Sequence, residues 1–356
     1  MFSFNAFSAT ITPVMKILGL ETSCDETAAA VVEDGRHALS NVVASQVDLH
    51  KQYGGVVPEV AARSHIEVVL PVIHEALDTA KVGWDAIDGI AVTQGPGLLG
   101  SLLIGNLTAR TLALTLKKPL YAVNHVIAHS FANFLIEPEL QFPMLSLSVS
   151  GKHSDILLFT SPLEYQLLGH TRDDAGGEAL DKVAKMMGLP YPGGVSLSKA
   201  APNGNEHAYT LPQADLGNSY DFSFSGLKTA ALRTLQAEVG GDFRTPSIEI
   251  PGKITQTQIN DMSASFARTL YETLVGKLTR AYHQYQPKTV VIAGGVAANQ
   301  RFRDEVTRQI PLQMHYAPIP FCTDNGAMIG SMGYFLAQAG RTADPLNLPA
   351  EPSLAV

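Results

Sequence analysis

Two stretches of this chain, about 130 residues apart, share one design, and that repeat constrains the fold more than any other feature. The first has an apolar run at residues 16–21, a polar turn at 22–27 and a second apolar run at 28–33. The second has an apolar run at residues 144–149, a polar turn at 150–155 and another apolar run at 156–159. Short apolar runs bounded by turn residues predict buried strands, so each unit reads as strand, turn, strand. The repetition predicts two related domains facing each other across a cleft, with a nucleotide between them. Hydroxyls and carboxylates in such a turn suit a phosphate or its magnesium, although a plain solvated hairpin has the same composition.

Between the repeats, the glycines and proline of residues 53–59 break the chain ahead of a helix whose apolar positions recur at Val60, Ile66, Val69, Leu70, Val72 and Ile73. Residues 87–92 read as a buried strand. Gln94, Gly95, Pro96 and Gly97 then launch a helix at 98–114, and such a turn can aim backbone amides at an anion. Further on, helices are predicted at residues 173–187 and 261–285, with a strand at 289–292. That strand runs into Gly294 and Gly295, whose lack of side chains would let a flat ring or sugar approach, and Asn299 would hold it. Residues 1–14 read as a flexible extension. Residues 341–356, with Pro345, Pro349 and Pro352, read as a disordered tail.

His125 and His129 stand four apart on a predicted helix, so both rings can reach one ion. Satisfied or solvated histidines also occur at this spacing. The zinc-protease pattern has a glutamate directly after its first histidine, whereas this chain has Val126, so a metal here would grip and polarise a ligand rather than activate water. The best third ligand lies in residues 321–328, where Asp324 opens an apolar helical run.

A chain of 356 residues, 46% hydrophobic and 16% charged, can bury a large core and has room for two domains. Its net charge of −8 argues against a free-standing nucleic-acid binder, so a nucleic-acid partner would need a local basic patch or a helper subunit. Lys182, Lys185, Lys228, Arg233, Arg301 and Arg303 are the candidates for such a patch. No uncharged apolar run is long enough to span a bilayer, and the N-terminus lacks the charges of a targeting peptide, which predicts a cytoplasmic protein without a membrane partner. The two cysteines, Cys24 and Cys322, predict reduced thiols.

Taken together, residues 21–27, 53–59 with Arg63 and His65, 94–97, 125–129, 149–153, 173–182, 191–194, 223–229, 294–299 and 321–328 resemble the bacterial TsaD/Gcp (YgjD) family of tRNA N6-adenosine threonylcarbamoyltransferases, over residues 15 to about 340. The resemblance implies an α/β fold of the actin/Hsp70/sugar-kinase (ASKHA) type, two related domains around a central nucleotide cleft. Residues 15–136, completed by a helix at 324–340, would form the N-terminal half and residues 137–323 the C-terminal half. It implies one divalent metal on His125, His129 and Asp324, iron(II) favoured with zinc the alternative, besides magnesium with a bound nucleotide. It implies a threonylcarbamoyl-adenylate bound by Ser148, Val149, Ser150, Gly151, Lys152, Asp181, Gly194 and Asn299. The acceptor would be the N6 amine of the adenosine beside the anticodon, in tRNAs reading codons that begin with A. The implied partners are a paralogous TsaB-like subunit and a TsaE-like P-loop ATPase.

This chain departs from its bacterial relatives at Ile127 and Ala128, where they have Glu and Gly, at Lys152, where they have Gly, and at Ser154, where they have Thr. No residue is an obvious nucleophile. Glu21 and Asp25 are the carboxylates expected to orient the incoming amine or take its proton. Two other classes fit such a fold: a small-molecule kinase, which needs no histidine pair, and an inactive nucleotide-binding paralogue acting as a scaffold.

Overall fold

The computed structural model describes residues 14–137, 139–312 and 314–356; all but the last residue of the expected N-terminal extension lies outside these. Among the described residues the strands are β1 (Lys16–Glu21), β2 (Glu26–Glu33), β3 (His37–Ala38), β4 (Val42–Ser45), β5 (Gly89–Gly95), β6 (Leu120–Asn124), β7 (Met144–Val149), β8 (Ser154–Ser161), β9 (Glu164–Gly169), β10 (Thr289–Ala293) and β11 (Met314–Tyr316). The α-helices are α1 (Val47–Lys51), α2 (Pro58–Ala80), α3 (Leu99–Leu116), α4 (His125–Phe131), α5 (Gly176–Met186), α6 (Gly193–Ala200), α7 (Ser225–Glu238), α8 (Gln256–Tyr285), α9 (Gln300–Gln309), α10 (Ile319–Cys322) and α11 (Gly326–Gln338).

The two hairpins seed two sheets of the same layout. In one, β1 pairs antiparallel with β2 and parallel with β5, which pairs parallel with β6. In the other, β7 pairs antiparallel with β8 and parallel with β10, which pairs parallel with β11. Strands β1, β7 and β10 are buried almost throughout, as strands covered on both faces must be. The first hairpin's turn is tighter than its sequence suggests, because β2 begins at Glu26 and only residues 22–25 turn.

Helix α11 lies on β1, β2 and β5 of the first sheet. A side chain on Gly19 would collide with the backbone of Gly326 and Gly330, so this close approach requires the glycine. It brings residues 323–325, which lead into α11, against α4. Helix α4 leaves β6 and is wholly buried, and its Ser130 hydroxyl meets that of Ser146 on β7 at 2.8 Å. Helix α3 is long and apolar enough to cross a membrane by composition alone. It packs instead on α2 and β5, and its Arg110 binds carbonyls of the C-terminal segment.

That segment corrects the expectation of a disordered tail. Ala343 donates its N–H to Leu120 at 2.8 Å, beside β6. Arg110 donates to the carbonyls of Pro345, Leu346 and Leu348, and Leu348 is buried with Ala109, Ala113 and Leu120. The Glu351 N–H meets the Gln94 carbonyl at 2.9 Å. Prolines prevent a regular element here, yet every carbonyl remains an acceptor, and donors elsewhere in the fold supply the partners.

Candidate metal centre and cleft

Asn124 starts α4: its side-chain oxygen accepts the N–H groups of Val126 at 2.9 Å and Ile127 at 3.3 Å. One turn of helix then places His125 and His129 on the same side, ring centroids 4.8 Å apart. At the other wall, Asn325 caps α11 through Met328 and leaves Asp324 facing the histidines. The Asp324 Oδ1 lies 3.5 Å from Nε2 of His125 and 3.5 Å from Nε2 of His129. One donor atom from each of the three residues falls within 4.8 Å of the others. Two bonds of about 2.1 Å meeting at a tetrahedral angle separate their donor atoms by about 3.4 Å, so the spacing fits a divalent ion.

His129 supplies an independent observation. It is 1% exposed, and among the described residues neither ring nitrogen has a hydrogen-bond partner. Burial, reinforced by His125 and His153, pushes its pKa well below the ordinary value, so the ring is neutral with a lone pair to donate. An imidazole buried in this way costs stability unless something outside the protein's own donors and acceptors satisfies it.

Glu21 lies behind the metal ligands rather than in the cleft, which corrects its expected role. It is fully buried, and Oε2 receives the Nδ1–H of His125 at 2.9 Å and the Thr93 hydroxyl at 2.6 Å, while the Ser23 N–H binds Oε1. Burial raises its pKa, but the His125 charge and these bonds outweigh burial and bring it down to about 2. Burial likewise opposes the His125 cation, and Glu21 and Asp324 prevail, raising it to about 9. A carboxylate fully engaged on a histidine fixes the ring and leaves Nε2 facing Asp324.

The cleft holds a cavity of about 1510 Å³ whose wall includes Asp25, His125, Ser150, Gly151, Lys152, Asp181, Gly194, Asn299 and Asp324. Lys152 is exposed, with no hydrogen bond or ion pair among the described residues. Asp181 accepts the Gly194 N–H at 2.9 Å, which ties α5 to α6. Asn299 caps α9 through Phe302 and donates to Ser198 at 2.8 Å. Ser148 and Val149 are fully buried at the end of β7 and are absent from the cavity wall.

The structure changes three further expectations. The amides of the 94–97 turn do not face an open anion site, because Gly97 donates to Pro352 at 3.1 Å and Leu98 to Ser23 at 2.7 Å. Gly294 has φ +83°, and a side chain there would strike the backbone of Val149, so it serves the junction of β10 with β7 rather than an approaching ring. The basic candidates are all engaged within the chain. Lys182 pairs with Asp174 and Glu178, Lys228 with Asp174 and Arg301 with Glu206. Lys185, Arg233 and Arg303 donate to backbone carbonyls.

Sequence reading did not assign His153 and Glu26. His153 stands 6.0 Å from His125, with its pKa lowered to about 3 by burial, His125 and Lys152. Glu26 lines the cleft, its pKa raised well above the carboxylate range by burial and by Asp25. His153 lies in the second repeated turn and Glu26 opens the strand after the first, so the duplication itself was the available signal.

A family model described as tRNA N6-adenosine threonylcarbamoyltransferase matches residues 37–331. A curated relative of that name from Symbiobacterium thermophilum is 49% identical over 341 residues, covering 95% of this chain and 96% of its own. Another from Thermomicrobium roseum is 48% identical over 343 residues, covering 93% and 94%. Two solved structures share the fold at 13% identity. HypF in its phosphate- and nucleotide-bound form superposes with a TM-score of 0.56 over 91% of this chain and 46% of its own. Component A of the Acidaminococcus fermentans (R)-2-hydroxyglutaryl-CoA dehydratase gives 0.50 over 91% and 99%. The duplicated sheets form an ASKHA-type fold, and neither the kinase nor the scaffold reading is favoured. The chain belongs to the TsaD family of tRNA N6-adenosine threonylcarbamoyltransferases and acts in the threonylcarbamoyladenosine modification of tRNA.

Proposed function

We propose that the cleft transfers the threonylcarbamoyl group from threonylcarbamoyl-adenylate to the N6 amine of the adenosine beside the anticodon, in tRNAs reading codons that begin with A. The observation that carries this reading is the donor set of His125, His129 and Asp324 at the wall of the large cavity. Two imidazoles and a carboxylate suit iron(II), with zinc the alternative. When bound, the ion would act as a Lewis acid toward an oxygen of the threonylcarbamoyl group.

The chain's own residues would do the rest. Glu21 fixes the His125 ring, and neutral His153 stands beside it. Lys152, unpaired in the cavity wall, puts a positive charge where the adenylate phosphate or threonyl carboxylate would lie. Attack of N6 on the carbamoyl carbon forms the new C–N bond and breaks the bond to the phosphate oxygen, so AMP leaves with the electron pair. One proton must leave the amine, and Asp25, in the cavity wall, is the carboxylate that would take it. An acyl-adenylate is already activated, so positioning supplies much of the rate gain.

The engaged lysines and arginines support a need for helpers in holding tRNA. Ile66 and Leu70 on α2, with Leu99, Leu103, Leu107 and Leu114 on α3, are exposed on two helices that pack together. Such an apolar face would suit a paralogous subunit of the same fold, with a P-loop ATPase as a further partner. Action on tRNA would place the protein in the cytoplasm.

The direct test incubates the metal-loaded chain with tRNA, the adenylate and the paralogous subunit, then analyses the tRNA nucleosides by mass spectrometry. Threonylcarbamoyladenosine is expected; consumption of the adenylate by hydrolysis alone, with no modified nucleoside, would overturn the reading. Lys152→Ala is expected to weaken binding of a non-hydrolysable adenylate analogue about tenfold, through loss of a charge-assisted hydrogen bond. Equal affinities for the two proteins at both low and high salt would remove Lys152 from the ligand contacts.

A further inference from the structure

We propose that residues 341–356 are a strap that positions the metal-bearing helix α4. Asn124 is the joint. Its side-chain oxygen is occupied by the first two free amides of α4, which leaves its Nδ2 free to donate elsewhere, and it donates to the Ala355 carbonyl at 2.9 Å. His125 is the next residue, so the plane of the Asn124 amide sets where the first ligand's backbone begins.

The strap is anchored along its length. Arg110 holds the carbonyls of Pro345, Leu346 and Leu348, Leu348 is buried, and Gln94 makes two bonds to Glu351, one through its side chain at 2.9 Å. The Pro352 carbonyl takes the Gly97 amide at 3.1 Å, and Pro352 itself forms part of the cleft wall. One segment therefore touches the end of β5, the cleft and the cap of α4. Helix α4 has only seven residues, too few to hold its own geometry, so its ligands depend on what grips its ends.

This inference rests on the metal reading of His125, His129 and Asp324, and the test separates the two. Zinc alone serves as the probe, and its release to a chelator is timed for the full chain, for Asn124→Ser and for a chain ending at residue 340. Serine keeps the cap acceptor but is too short to reach Ala355. Both variants are expected to release zinc about tenfold faster or more, the range seen when support behind a metal ligand is lost. Amides of α4 should exchange hydrogen faster, and a peptide of residues 341–356 added in trans should slow zinc release from the shortened chain. A full chain that takes up no zinc would defeat the metal reading. A full chain that binds zinc, with Asn124→Ser releasing it at the same rate, would overturn the strap, and this variant decides the matter if the shortened chain does not fold.

Discussion

His129→Ala is expected to leave the chain folded and deprive it of its metal. The two halves of this prediction come from one fact, that the His129 ring is buried with both nitrogens unpaired. Each unpaired buried group costs about 1–3 kcal/mol, and alanine removes both. The cavity left by the ring costs a similar amount, about 2–5 kcal/mol, so the metal-free melting temperature should move by only a few degrees. Metal affinity should respond far more. Four-ligand zinc sites bind with about 10–16 kcal/mol, or about 2.5–4 per ligand, so loss of one ligand weakens binding by about two to three orders of magnitude. Metal analysis after dialysis, with competition against a chelator, measures this. A variant that retains a full equivalent of metal would exclude His129 from the ligand set.

The parts of the fold that could be read ahead of the structure are those whose cause is local. The hairpins at β1–β2 and β7–β8 announce themselves because each is an apolar run, a polar turn and another apolar run, and sheet pairing needs little more. His125 and His129 are visible as a pair because helix geometry alone puts them on one face. Asp324 could be picked out only as an acidic residue opening an apolar helical run, a common helix start, and it is the packing of α11 that turns it toward the histidines. What escaped depends on contacts between distant segments. Glu21 and His125 are 104 residues apart, and only the pairing of β1 with β5 and of β5 with β6 brings the carboxylate behind the ring rather than into the cleft. Lys228 and Arg301 looked available because their partners Asp174 and Glu206 are neighbours in space and not along a helix. The C-terminal segment looked unstructured because composition reports whether a stretch can make a core of its own, and this one borrows donors from Arg110, Gln94 and Asn124.

Asp155→Asn is expected to stabilise the protein at pH 8 by about 2–4 kcal/mol, with a much smaller gain at pH 5. Asp155 stands opposite Ser148 in the β7–β8 pair, 5% exposed, with Oδ2 unpartnered among the described residues. Burial raises its pKa from 3.8 to about 7, with no compensating charge. Between these values the folded chain holds a proton that the unfolded chain has released, so the unfolded state binds fewer protons and stability falls as pH rises. The contribution is intact below about pH 4, declines through the window and is lost above about pH 7, where the carboxylate is charged in an apolar site. A rise of about three units at about 1.36 kcal/mol each sets the upper bound of about 4 kcal/mol. Asparagine has the same shape and never ionises, so its own stability should be flat across this window apart from other groups. Urea unfolding of both proteins at pH 5 and pH 8 measures the difference, which should be about 2–3 kcal/mol larger at the higher pH. A gain that is the same at both values would mean that Asp155 does not keep its proton, and that the hairpin beneath Ser150 and Lys152 tolerates a buried charge.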